Sequence, residues 1–456
     1  MTSDETLLSS VRMRISGRQY ENLRFLLSLE GTENKVVIGS CGSTKISTES
    51  GIDLVITLHA ISDRLIHDKN DDKDKAIAWM TLQQKYYPLL PIVIRRGNRL
   101  ADTSRSLVMD QLIQAGQRKG LLVQVGESGE LTGIFFQAGS FRRIDSILVA
   151  GPDILRWSQY DESKSEASEL SRRFEQSFGE KTQRLVADLK VGIVGTSGTG
   201  SPVAEMLYRL GAGEVVLVDD DHIEEKNLGR IYNSSLRDAR EKRLKVDVLG
   251  DAFDRNGLPT KVKKIAARTN DAETVLQLAQ CDIIFGCMDT HSGRNLLNKI
   301  CTFYSIPYFD LGVNLEADKH GGVRVVCGAV HYLQPDGSSL ASRKAINLEV
   351  AAAEDLKRKN PEEYDQLRKE KYIKGVNEEK PAVITVNTLI ASLAMNDFLA
   401  RLHPYRNNPN ADLGSISIDL LEPRIVPEAD GPPDVGLARS VGLGDIRPLL
   451  NMPALG

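Results

Sequence analysis

"VGIVGTSGTGSPVAEML", Val191–Leu207, lies well inside the chain and decides how the rest is read. Its β-branched run ends at Gly195 and an apolar helical period begins beyond Gly200. Gly195, Gly198 and Gly200 have no Cβ, so the backbone between strand and helix turns tightly and approaches an anion closely. The helix amides then face that anion, aided by the helix dipole. A dinucleotide fingerprint is spaced G-x-G-x-x-G. Here the spacing is G-x-x-G-x-G, with Ser197 at the second glycine position. Nucleotide binding and tight strand–helix packing both remain open on the turn alone.

Outward from this turn the pattern alternates. "EVVLVDDD", "KVKKIAA", "CDIIFGCMD" and "IPYFDLGV" read as strands separated by helical stretches, which predicts a mainly parallel sheet covered by helices over 171–335. Asp219 ends the second strand, where a carboxylate can accept from ribose hydroxyls, and Asp221 stands beside it. Asn227 and Arg230 share a face if their stretch is helical, and the planar fork of an arginine suits phosphate. Asp289 follows a third strand at the carboxyl edge of the sheet, where ligands bind. It is a candidate Mg²⁺ ligand or a helix N-cap.

Residues 1–157 carry strand-like runs such as "NKVVIGSCG", "DLVITLHAI" and "LLPIVIRRG" with "DTSRSLVMDQLIQAGQRKG" reading as a helix, which predicts an α+β domain. Residues 158–170 read as a polar linker. Residues 336–380 are densely charged and read as a crossover segment or a solvated helical pair. Over 381–456, "AVITVNTLIASLAMNDFLARLH" is an apolar helix and "GSISIDLLEPRIV" a strand, expected to complete the domain of 171–335, and the Gly/Pro-containing tail is irregular.

The chain has 456 residues and a formal charge of −4, which gives no general attraction to nucleic acid or anionic membrane. No apolar run reaches the roughly 18 residues of a membrane helix and the first residues lack a secretory pattern, so the expected location is cytoplasmic. Five cysteines with no C-x-x-C spacing make structural zinc unexpected.

"VGIVGTSGTGS", "LVDDDHIEEKNLGR", "RLKVDVL" and "GCMDTHSGRNLLN", in this order, resemble the adenylation domain of the ThiF, MoeB and ubiquitin-activating enzyme superfamily. The layout is most similar to bacterial ubiquitin-activating-like proteins with an added N-terminal domain, of Bil-type conjugation operons. The resemblance implies a Rossmann-like α/β fold and an enzyme that adenylates the C-terminal carboxylate of a ubiquitin-like protein with ATP and Mg²⁺. It further implies passage to a ubiquitin-conjugating-like enzyme, a homodimer, and, through operon context, antiviral defence. Residue by residue, Gly195, Ser197, Gly198 and Gly200 would form the ATP phosphate loop. Asp219 would hold the ribose with Asp221 nearby, and Asn227, Arg230 and Lys245 would contact phosphate. Asp289 would bind Mg²⁺, and Arg173 or Arg172 would reach the partner subunit's ATP.

Relatives that form a thioester carry a cysteine in the crossover region; here Ser339, Ala341 and Ser342 stand there. Cys281, Cys287, Cys301 and Cys327 lie in apolar patterns that bury a thiol. A cysteine replaced at one of these positions, a reaction ending at the adenylate, and a distant cysteine moving in all stay open. The stretch "RQYENLRFLLSLEGTENKVVIGSCG" is similar to the start of the JAB metalloprotease fold, with Glu33 near that family's glutamate. His59 and His67 form no H-x-H pair, so the resemblance implies an inactive JAB-like domain. Competing readings are a sulfur-carrier adenylyltransferase of thiamine or molybdopterin type, an NAD-dependent oxidoreductase, and a non-catalytic scaffold.

Overall fold

The structure is a computed structural model. It describes residues 8–28, 35–48, 51–63, 65–67, 73–85, 87–97, 110, 113, 117–137, 139–158, 169, 171–318, 320, 322–369 and 383–456. Glu33 and most of the expected linker at 158–170 lie outside the described residues, as does much of the helix expected over 102–120. The chain divides into two compact units.

The first unit holds Met1–Ser165, Thr302–Ser305 and Val435–Gly456. Its mixed sheet comprises β1 (Leu8–Ser16), β2 (Lys35–Thr48), β3 (Gly51–Ile61), β4 (Ile66–His67), β5 (Leu90–Arg96), β6 (Lys119–Val125), β7 (Leu131–Gln137), β8 (Ser140–Arg143), β9 (Ser146–Ala150) and β10 (Ile154–Ser158). The order is β10-β9-β1-β3-β2-β5-β6-β7-β8, with β4 beside β2. Strand alternation sends Val37 to one face and Val36 and Ile38 to the other. Helix α1 (Gly17–Ser28) buries Tyr20, Leu23 and Leu27 in the first core, with Val37 and Ile56. Helix α2 (Lys73–Gln84) sets Ala76 and Met80 in the second, with Val36 and Val93. The α+β character read from the sequence is present here.

The C-terminal tail belongs to this unit. The sequence groups 381–456 with the adenylation domain; in the structure only the part up to Asp434 stays there. The tail is anchored on β2 and β3. Gly442 O accepts from Gly42 N (3.2 Å) and the Thr57 hydroxyl (2.8 Å), and Val441 O lies 2.7 Å from His59 Nδ1. Asp445 accepts from the hydroxyls of Thr44 and Tyr304. Leu443, Ile446, Leu449 and Leu450 are buried.

The second unit is an α/β domain. Strands β11 (Lys190–Val194), β12 (Glu214–Val218), β13 (Lys261–Ile265), β14 (Ile283–Gly286) and β15 (Tyr308–Ala317) are parallel. Strands β16 (Val323–Leu333), β17 (Ser415–Asp419) and β18 (Arg424–Glu428) extend the sheet antiparallel. The order is β13-β12-β11-β14-β15-β16-β17-β18. The strand order turns back at β11, between β12 and β14, so a crevice opens above the carboxyl ends of β11 and β14. Helix α3 (Arg172–Ala187) precedes β11, and α4 (Gly200–Leu210), α5 (Leu236–Arg240), α6 (Lys245–Asn256), α7 (Ala272–Leu278) and α8 (His291–Tyr304) connect the strands. The charged region forms α9 (Leu348–Lys359) and α10 (Pro361–Lys369), the solvated pair its composition allowed. Helix α11 (Ile384–Leu402) is apolar on nearly every side and packs against α4, β15 and β16.

Candidate functional site

The glycine turn is built by close approach. Gly195 has φ +86°, a left-handed conformation. A Cβ on Gly200 would sit 1.8 Å from the carbonyl oxygen of Gly195, so the helix begins directly against the turn only with glycine there. Thr199, the N-cap residue of α4, makes no side-chain cap; Ser201 N donates to Ser197 O at 2.9 Å, while among the described residues the turn amides of Ser197, Gly198 and Thr199 make no hydrogen bond and lie at the cleft.

The carboxylate expected for ribose serves the turn as well. Asp219 Oδ2 accepts from the Thr196 amide (2.7 Å) and hydroxyl (3.1 Å), and Oδ1 accepts from the Asp221 amide (2.9 Å). Burial raises its pKa against the pull of Lys245 and these donors. Lys245 opens α6; its Nζ is 2.6 Å from Asp221 and 3.7 Å from Asp219. Asp220 pairs instead with Arg268 at 2.9 Å. The acidic run therefore has partners within the chain, in accord with mutual repulsion among adjacent carboxylates.

Arg230 donates to Asn227 Oδ1 at 3.0 Å while Asn227 is itself buried, so one side chain aims the other. They lie on and just after a single 3₁₀ turn, Glu225–Asn227, rather than on an α-helix. Asp289 is exposed at the end of β14. The amide of Ser292 in α8 donates to Glu354 at 2.7 Å, not to Asp289, which disfavours the N-cap alternative.

One cleft of about 520 Å³ gathers Gly195, Ser197, Gly198, Asp219, Asp221, Asn227, Arg230, Lys245 and Asp289. Gly200 lies behind the turn, and neither Arg172 nor Arg173 is among the lining residues. Both arginines are exposed at the start of α3. Sequence reading missed Arg294 and Asn387, which also line the cleft. Arg294 Nε donates to the fully buried Asp310 at 2.9 Å and Nη1 to Ala345 O at 3.1 Å. For Asn387 the sequence signal is weak, because the same helix also carries Thr388, Ser392, Asn396, Asp397 and Arg401.

The crossover positions differ in accessibility. Ser339 is buried and donates to Asp434 at 2.5 Å, and its amide donates to the Ser342 hydroxyl at 2.9 Å. Ala341 is half-buried and Ser342 exposed. Arg343 fastens the segment to Asp430, Gly414 O and Tyr332 O. Cys41, Cys281 and Cys301 are buried. Burial pushes the Cys287 thiol up to about 12, and burial followed by Asp419 and Glu316 raises that of Cys327.

The arrangement suits an anion carrying several charges. The turn amides, Arg230 and Lys245 can neutralise phosphates, while Asp289 offers oxygen to a hard cation such as Mg²⁺. Known proteins resemble the chain in part. The SAMP-activating enzyme E1 of Haloferax volcanii is 29% identical over 160 residues, covering 35% of this chain and 54% of its own length. The molybdopterin-synthase adenylyltransferase of Escherichia coli is 31% identical over 125 residues, 27% of this chain and 49% of its own. Ubiquitin-like modifier-activating enzyme 5 of Oryza sativa is 28% identical over 184 residues, 37% and 41%. The chain thus spans about half, or less, of the length of these curated relatives. Among solved structures, E. coli MccB with ATP is 21% identical, covering 59% of this chain and 74% of that one with a TM-score of 0.45. The profile of the ThiF family matches residues 170–427, more than half of the chain, and the chain belongs to the ThiF family.

Proposed function

We propose that this chain activates a ubiquitin-like protein by adenylating its C-terminal carboxylate with ATP and Mg²⁺. The observation that carries the reading is the convergence of Arg230, Lys245 and Asp289 opposite the Gly195–Gly200 turn in one cleft. A carboxylate is already ionised at pH 7, so no general base is needed. Its oxygen attacks the α-phosphorus and pyrophosphate leaves with the electrons of the broken P–O bond. Charge grows on phosphate oxygens, where Arg230 and Lys245 stabilise it. For that, Lys245 exchanges Asp221 for phosphate. Mg²⁺, held through Asp289, supplies further charge neutralisation when bound. Asp219 keeps one oxygen only partly engaged for the ribose, and Gly195, Ser197, Gly198 and Asn227 bound the phosphates.

The acyl group then passes to a thiolate of a ubiquitin-conjugating-like enzyme, which attacks the acyl carbon and forms the thioester as the C–O bond breaks and AMP leaves. The subunits pair as a homodimer, with Arg173, or Arg172, reaching the partner's nucleotide; the exposure of both supports this. The first unit serves docking or dimerisation as an inactive JAB-like domain, supported by the lack of an H-x-H pair and by the engagement of His59 with Val441. Cytoplasmic antiviral conjugation is the setting this reading implies. A second reading, adenylation of a sulfur carrier, is favoured by the likeness to the molybdopterin-synthase adenylyltransferase.

Calorimetry with MgATP and NADH, followed by ATP–pyrophosphate exchange with small carrier proteins ending in Gly-Gly, tests the proposal. Exchange that depends on the carrier's terminal carboxylate is expected. NADH binding without ATP binding overturns it.

A further inference from the structure

We propose that Asn387 is a nucleotide-contacting residue, its carboxamide donating a hydrogen bond to a phosphate oxygen in the cleft; this rests on the reading of that cleft as an ATP site. Asn387 lies in the first turn of α11 and is 3% exposed. Its amide N–H is satisfied by Val383 O at 3.1 Å. Among the described residues its carboxamide makes no hydrogen bond, and neither of its polar atoms is among those fully buried without a partner, so the carboxamide opens to the cleft that Asn387 lines. A side chain that only filled space here would be better apolar, as the buried Val386 and Ile390 of the same helix are.

The direction of the carboxamide identifies what it awaits. A Cβ on Gly198 would lie 2.2 Å from Asn387 Nδ2 and 3.3 Å from Arg230 Cδ. The turn therefore lacks a side chain at the point where asparagine and arginine converge, and all three face the same cleft. Turn amides and a guanidinium select an anion, and the group a carboxamide adds beside them is a donor. The helix turn is held in place independently, because Thr388 Oγ1 is 3.0 Å from the Tyr232 hydroxyl and the Tyr232 amide donates to Ser201 at 3.1 Å. Asn387 is thus held at the cleft beside Gly198 and Arg230.

The test is calorimetry on the full chain with two probes, MgATP and adenosine, for the wild type, Asn387→Leu and Asn387→Asp. Leucine keeps the volume without polar atoms; aspartate keeps the shape and adds a repelling charge. Asn387→Leu is expected to weaken MgATP about tenfold or more and leave adenosine unchanged. Asn387→Asp is expected to weaken MgATP further, and it carries the test alone if the leucine variant does not fold. MgATP affinity equal to wild type in the folded variants, or equal losses for both probes, overturns the inference and reduces Asn387 to packing. A wild type that binds neither probe overturns the ATP reading, and this inference with it.

Discussion

Arg230 and Lys245 approach the cleft under different restraints. Among the described residues Arg230 is held only by Asn227, and it is half-exposed, whereas Lys245 is buried against Asp221 and Asp219. Arg230→Ala is expected to lower pyrophosphate exchange by about 10²–10³-fold with little change in melting temperature. Lys245→Ala should cost both exchange and stability, since Asp219 stays buried without its nearest cation. Retained exchange in either variant argues against the assigned roles. The two glycines of the turn give a second contrast. At Gly198 the obstacle to a Cβ is the end of a side chain, while at Gly200 it is the backbone oxygen of Gly195. Gly198→Ala should destabilise by about 1–3 kcal/mol and recover part of that on combination with Asn387→Ala. Gly200→Ala should destabilise at least as much and gain nothing from Asn387→Ala. Urea denaturation of the three single variants and the two combinations beside wild type measures these couplings.

The pairing of β15 with β16 sets His331 opposite Asp310. Burial, opposed by Asp310 and reinforced by Arg343 and Arg294, lowers the pKa of His331 to about 4. Below the unfolded value of about 6.5 the unfolded chain takes a proton that the folded chain refuses. Stability is then complete above about pH 6.5 and falls as pH drops toward 4, by up to about 3 kcal/mol. His331→Phe should flatten that part of the pH–stability curve; an unchanged slope assigns the acid sensitivity elsewhere. Strands with a continuous apolar run closed by glycine or aspartate, β11, β12 and β14, were legible because burial on both faces leaves no room for polar residues. The β17–β18 hairpin read as one strand, since every residue of β18 is exposed and carries no burial pattern. The break in α3 at Gly179, φ +80°, was hidden within a good helical period. At the site, motif residues were legible from their order. Asn387 was not, because it reaches the cleft from an element distant in sequence; Arg294 lies inside the quoted GCMDTHSGRNLLN stretch, but its place in the cleft is set by its partner Asp310 on the next strand.

The first unit is assembled from separated parts of the chain. Its tail buries Val441, Leu443, Ile446, Leu449, Leu450 and Leu455. At about 1.5–3 kcal/mol for each buried side chain, these rival the usual 5–15 kcal/mol of net stability. Removal of residues 435–456 should therefore leave the first unit unfolded while the second still binds MgATP. Hydrogen exchange on the truncated chain checks this: protection should vanish from β1–β3 and persist in β11, β12 and β14, and full protection of β1–β3 contradicts it. The same connectivity governs biogenesis. A ribosome releases the segment that closes the first unit only after it has finished the entire second unit, so maturation must run against the direction of synthesis, and a prematurely terminated product would carry a complete cleft on the same chain as an unfinished unit.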